Sequence, residues 1–141
     1  MDRFLGLDLG KKTIGVAISD PMKIFANGLV TIKRTSVNED IDKLKKIIEE
    51  ENIDKIIVGM PYNMDGSKGP QAQRVMSFVD LLKKEIDNEI IYEDERLTTL
   101  EAEEVLIKQK VRRENRKEHI DKIAACFILQ SYLDARWLWI I

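Results

Sequence analysis

Residues 3–19 read RFLGLDLGKKTIGVAIS, and this stretch decides the fold. Arg3 to Asp8 is apolar on both sides of an extended chain, the mark of a strand covered on both faces. Leu9-Gly10-Lys11-Lys12 supplies a turn and Thr13 to Ser19 a second β-rich run, so the two strands pair as a hairpin. Side-chain alternation puts Asp8 on the face of Phe4 and Gly6, at the strand end where α/β sheets present their ligands. Gly6 leaves space beneath that carboxylate, and Gly10 permits the tight reversal. Standing alone, such an aspartate could also simply close an Asx-turn, the lesser of the two readings.

Outward from the hairpin, Asn27 to Lys33 gives a third strand, and Asn38-Glu39-Asp40 starts a helix to about Glu51 with Ile41, Leu44, Ile47 and Ile48 on one stripe. Asp54 to Gly59 is a short buried strand, parallel to its neighbour because a helix precedes it. Pro61 to Gly69 is a turn-rich loop, and Gly69-Pro70 leads into a helix carrying Val75, Phe78, Val79 and Leu82. Asn88 to Glu93 is another strand. Thr98 and Glu101 form a capping box that opens a helix to about Lys108. The basic 109–117 segment reads as a loop, and a last helix runs from Glu118 to about Asp134. The order β-β-β-α-β-α-β-α-α predicts an α/β fold over residues 1–141 as a single domain. Its mixed sheet joins a three-strand antiparallel meander to parallel β-α units, flanked by helices.

Composition narrows the chemistry. A formal net charge of −2 argues against a protein that coats nucleic acid by bulk electrostatics, yet Lys108, Lys110, Arg112, Arg113, Arg116 and Lys117 cluster in one short stretch. The lone Cys126 sits in an apolar helical run and reads as a buried structural thiol, which excludes a disulfide framework. No signal-peptide pattern opens the chain, and no apolar run approaches the roughly 20 residues of a membrane span. The expectation is a soluble, cytoplasmic protein with no membrane partner.

Three acidic positions stand out: Asp8, the Asp94/Glu95 pair that ends a strand, and Asp121 inside an apolar helix. Carboxylates in such places are costly unless a cation neutralises them. With one histidine and one cysteine in the chain, the natural cation is a hard divalent metal on oxygen ligands, Mg²⁺ or Mn²⁺. Two metals about 3.5 to 4 Å apart among these carboxylates would serve phosphoryl chemistry on a polyanion. Adjacent residues on an extended chain face opposite sides, so only one of Asp94 and Glu95 shares a site with Asp8. The longer arm favours Glu95, with Asp94 still open. Asp121 has Ala124 and Ala125 at i+3 and i+4, a small face that lets its helix approach the sheet closely. His119 reads as a surface or partner-contact residue. Lys11, Lys12, Arg74 and Arg96 are candidates for holding phosphates, Arg112 and Arg113 for guiding nucleic acid, and Asn63 for a substrate-facing loop.

A single phosphate hairpin is also found in nucleotide-clamping actin-like ATPases, but those need two such domains and this chain has one. Taken together, residues 6–20 (GLDLGKKTIGVAISD), 58–67 (VGMPYNMDGS), 94–99 (DERLTT) and 121–125 (DKIAA) resemble the YqgF family, also called RuvX. The resemblance runs from residue 4 to about 134. It implies a ribonuclease H-like fold related to the RuvC junction resolvases and a metal-dependent nuclease site, with Asp8, Asp94/Glu95 and Asp121 as its acidic residues. Family members are described as nucleases maturing the 5′ end of pre-16S ribosomal RNA, and alternatively as Holliday-junction resolvases that would act on four-way DNA junctions as dimers. The leading expectation is therefore a hydrolase of structured rRNA precursor, with the ribosomal subunit precursor as a possible partner. A non-catalytic, nucleic-acid-binding ribosome-assembly factor is the alternative of another class. Lys12 stands where members often carry arginine, and the apolar tail 137–141 leaves monomer and homodimer both open.

Overall fold

The computed structural model describes residues 2–95 and 113–140, with side chains in the last segment described for 122–136. The elements are β1 (Arg3–Leu9), β2 (Thr13–Ser19), β3 (Ala26–Lys33), α1 (Val37–Glu50), β4 (Ile53–Met60), α2 (Pro70–Lys83), β5 (Glu89–Asp94) and α3 (Arg113–Ile140). They build one five-stranded sheet in the order β3-β2-β1-β4-β5. Neighbours β1–β2 and β2–β3 are antiparallel, while β4 runs parallel to both β1 and β5. The meander followed by parallel units is thus the observed topology.

Both faces of β1 are covered, as its apolar run requires. On one face Leu5, Leu7, Leu9, Ile14, Val16, Ile56 and Val58 pack against Ile41, Leu44 and Ile48 of α1 and Val75, Phe78, Val79 and Leu82 of α2. On the other, Phe4, Ala17 and Ile57 meet Ala125, Ile128, Leu129 and Leu133 of α3. That second contact is close because the strands offer a row of small residues: Gly6 pairs with Ala17, and Ala17 with Gly28. A Cβ on Gly6 would lie 2.8 Å from Leu129 Cβ and 3.0 Å from the Ala125 carbonyl oxygen. The long α3 is also clamped at the β2–β3 connection, where Gln130 Oε1 accepts from Ala26 N–H and its Nε2 donates to Ile24 O, each 2.8 Å.

Three helix boundaries differ from expectation. The last helix starts at Arg113 rather than Glu118, so 113–117 is helical and not loop, and it runs on past Asp134 to Ile140. Arg, Glu and Lys are good helix formers, so the first turns of a long helix need no apolar stripe to form. Helix α1 begins at Val37, capped by Ser36, whose Oγ accepts from Glu39 N–H at 3.2 Å. The Thr98/Glu101 capping box and the helix expected after it lie outside the described residues. None of the described helices is long and apolar enough to cross a membrane.

Candidate active site

A single row of residues crosses the sheet on its α3 face. Register pairs Thr31 with Gly15 and Gly15 with Asp8, and one step beyond the Leu7–Val58 pair sets Gly59 beside Asp8. Gly59 in turn pairs with Glu93. Asp8 is half-buried and has a glycine on each neighbouring strand, so its carboxylate stands over a hollow floored by backbone. Glu95, just past β5, donates its backbone N–H to Met60 O at 3.3 Å. Its side chain turns into that hollow: a Cβ on Gly59 would lie 2.6 Å from Glu95 Oε2 and would overlap Ile128 Cδ1. The carboxylates of Asp8 and Glu95 therefore project over adjacent strands, whose backbones are about 4.8 Å apart.

Alternation separates the acidic pair. Asp94 pairs with Met60, is exposed, and falls on the α1/α2 face with Tyr92, whereas Glu95 falls on the face of Asp8. Residue 121 sits in α3 one turn before Ala125. Because Ala125 and Leu129 lie over Gly6 while Tyr132 packs edge-on against Phe4 at 6.0 Å, α3 runs antiparallel to β1. Position 121 is thus displaced from Gly6 toward the end of β1 that carries Asp8.

Glu93 was absent from the expected set, although the alternation that selects Glu95 selects it too. It accepts a long hydrogen bond from Ser131 Oγ at 3.4 Å. Burial pushes its carboxyl above the ordinary 4.5, with the neighbouring Asp94 charge adding to the rise and the Ser131 hydroxyl opposing it. Cys126 is half-buried against the α3-side core, and burial raises its thiol pKa against the opposing pull of Lys122, as suits a structural thiol.

The basic candidates divide. Lys11, Lys12 and Arg74 come together around one cleft, joined by Lys33 and Arg34, on the α1/α2 side of the same sheet end. Asn63 braces its own loop, its Nδ2 donating to Ser67 Oγ at 3.0 Å and its amide lying against Gly69. Arg96 and Arg112 lie outside the described residues. Arg113 opens α3, and His119 lies within it.

Among the described residues no group of three or more His, Cys, Asp or Glu gathers as a ligand set. The pair Asp8 and Glu95 offers hard oxygen donors beside a glycine hollow that a Cβ would fill, a donor set suited to a divalent cation of the Mg²⁺ or Mn²⁺ kind.

A family model described as "RuvX: Holliday junction resolvase" matches residues 2–135. A Clostridium tetani protein named "Putative pre-16S rRNA nuclease" is 51% identical over 133 residues, covering 94% of this chain and 96% of its own. A protein of the same name from Thermoanaerobacter pseudethanolicus is 55% identical over 135 residues, covering 95% and 97%. Among solved structures, T. thermophilus RuvC bound to a Holliday junction superposes with a TM-score of 0.60 at 12% identity, covering 97% of this chain and 96% of that one. The Fowlpox virus resolvase, also with junction DNA, gives 0.57 at 16% identity over 95% and 98%. These likenesses establish the ribonuclease H-like fold, and with a family model spanning nearly the whole sequence and half-identical relatives of equal length, the chain belongs to the RuvX (YqgF) family.

Proposed function

We propose that this protein is a divalent-metal-dependent nuclease that hydrolyses phosphodiester bonds at the 5′ end of a 16S ribosomal RNA precursor, in the cytoplasm. The observation that carries the reading is the Glu95 carboxylate turned over Gly59 into the hollow beside Asp8. Asp8, Glu95 and Asp121 are its acidic residues, supplied by β1, the end of β5 and α3. When bound, Mg²⁺ or Mn²⁺ would supply an activated water and charge to stabilise the leaving oxygen. The chain's own part is to hold the two carboxylates on a rigid sheet end with their negative charge converging, and to place cations where the polyanion runs. No side-chain nucleophile is required. Lys11, Lys12 and Arg74 hold substrate phosphates on this reading, with Arg96, Arg112 and Arg113 as further contacts.

The substrate rests on the names of the relatives, which share about half of their residues with this chain. The family description supports a second reading, cleavage of a four-way DNA junction by a dimer whose two sites cut symmetric strands. Purified protein incubated with Mg²⁺ or Mn²⁺ and either a 16S precursor carrying its 5′ leader or a four-way DNA junction decides between them. Defined cleavage of the leader, reduced about a thousandfold in Asp8→Asn with RNA binding retained, is the expected result. Symmetric cutting of the junction alone would replace it with the resolvase. Cleavage of neither, with binding intact, would leave a non-catalytic assembly factor.

A further inference from the structure

On the opposite side of the hairpin turn from the carboxylates lies a cleft of about 600 Å³, bounded by the β1–β2 turn, the segment from Lys33 to Val37 and the first turns of α2. Its walls are fixed. Arg34 bonds Asp40 Oδ2 through Nε at 3.1 Å and donates through Nη1 to Gly10 O at 2.9 Å. Gln71 Nε2 donates to Leu9 O at 3.0 Å, and Gln71 Oε1 accepts from Arg74 Nε at 3.0 Å. One partly buried ion pair and one amide thus tie the hairpin to both helices.

The charge around the cleft is one-sided. Asp40 is its single carboxylate and already belongs to Arg34, whereas Lys11, Lys12, Lys33 and Arg74 are exposed and have no carboxylate partner among the described residues. Four such cations on the rim of one cleft, in a chain of formal net charge −2, mark a local anion site rather than a general surface property. Val37 supplies exposed apolar surface at the rim, while Val75 and Phe78 lie almost wholly buried beneath it, Phe78 under the Arg34 guanidinium. Cations around an apolar floor suit phosphates joined to sugars better than a run of carboxylates. The cleft lies at the same sheet end as the carboxylates, on the other face: Leu9, which lines it, directly follows Asp8 in β1.

We infer that this cleft binds the single-stranded flank of the polynucleotide whose reacting bond lies at Asp8, the strand passing around the tip of the β1–β2 hairpin. The inference rests on the nuclease reading for the reacting end and extends it to a second, phosphate-holding surface that includes Lys33 and the Arg34 platform.

The test is fluorescence anisotropy of a labelled single-stranded RNA in EDTA, over about 50 to 200 mM salt, so that binding is read without cleavage. Two surface doubles, Lys33→Gln/Arg74→Gln and Lys11→Gln/Lys12→Gln, are compared with Lys83→Gln/Lys84→Gln at the far end of α2. Each cleft double is expected to bind about tenfold more weakly, with a salt slope smaller by about 1.4 for two lost phosphate contacts, and the control to match wild type. Wild-type affinity and slope in both cleft doubles would overturn the inference, as would failure of the wild type to bind RNA. Displacement of the RNA by AMP as effective as by unlabelled oligonucleotide would overturn the strand and leave a mononucleotide pocket. The two readings fail separately: weakened binding in the doubles with no cleavage by wild type sinks only the nuclease, and unchanged binding with normal cleavage sinks the cleft, with the phosphate role of Lys11, Lys12 and Arg74, while the carboxylate site stands.

Discussion

Gly59 earns its place through what lies above it. In Gly59→Ala the new methyl would meet Glu95 Oε2 at 2.6 Å and Ile128 Cδ1 closer still, so the carboxylate or the helix must shift. We expect a loss of about 1–3 kcal/mol in urea unfolding and at least about a tenfold fall in cleavage rate, since a small misplacement of a ligand is costly. Wild-type cleavage by Gly59→Ala would count against Glu95 as a ligand. Glu93, in the same row, makes a separate prediction. Its folded pKa is raised, so the unfolded chain releases this proton first and stability falls as pH climbs from about 4.5 through the folded value. Glu93→Gln should therefore be more stable than wild type at neutral pH, the gap closing below pH ~4 in thermal unfolding. The alternation that makes Asp8 and Glu95 legible also places Glu93 on their face, although nothing in its own position at the interior of β5 marks it as part of a site.

Element packing accounts for what the sequence hid. Arg34 and Asp40 have no periodic signature: one lies just past β3 and the other in the first turn of α1, and only the fold makes them a partly buried pair with the Asp40 side chain 2% exposed. Arg34→Met would remove the ionic partner and leave the Asp40 carboxylate, among the described residues, only the Thr35 N–H, 3.1 Å from Oδ1, and is expected to cost about 1.5–3 kcal/mol. Calorimetry showing a loss under about 1 kcal/mol for the single change would mean that Asp40 is not held as described. Similarly, α3 rests on Gly6 with no slack. Gly6→Ala should destabilise by about 1–3 kcal/mol, and unaltered stability would show that the helix can ride higher without penalty. The glycine was legible as space beneath Asp8, but the sequence could not say that a helix backbone fills it. The start of α3 carries no apolar stripe to mark it in sequence, because charged helix formers build those turns unaided.

For the whole molecule, the meander, the parallel units and the two covered faces of β1 were legible because each follows from short-range patterns. The cleft was not, since its cations come from the hairpin turn, the end of β3 and α2, brought together only by the sheet order. The α3 clamp has a consequence in time. Gln130 grips Ile24 and Ala26 across 106 and 104 positions of sequence, and α3 is the cover over Phe4, Ala17 and Ile57. A chain in which α3 has not docked exposes that apolar face and withholds position 121, so the cover of the sheet and the third proposed acid arrive together. The site is therefore complete only once the most distant element in sequence has closed over the first hairpin.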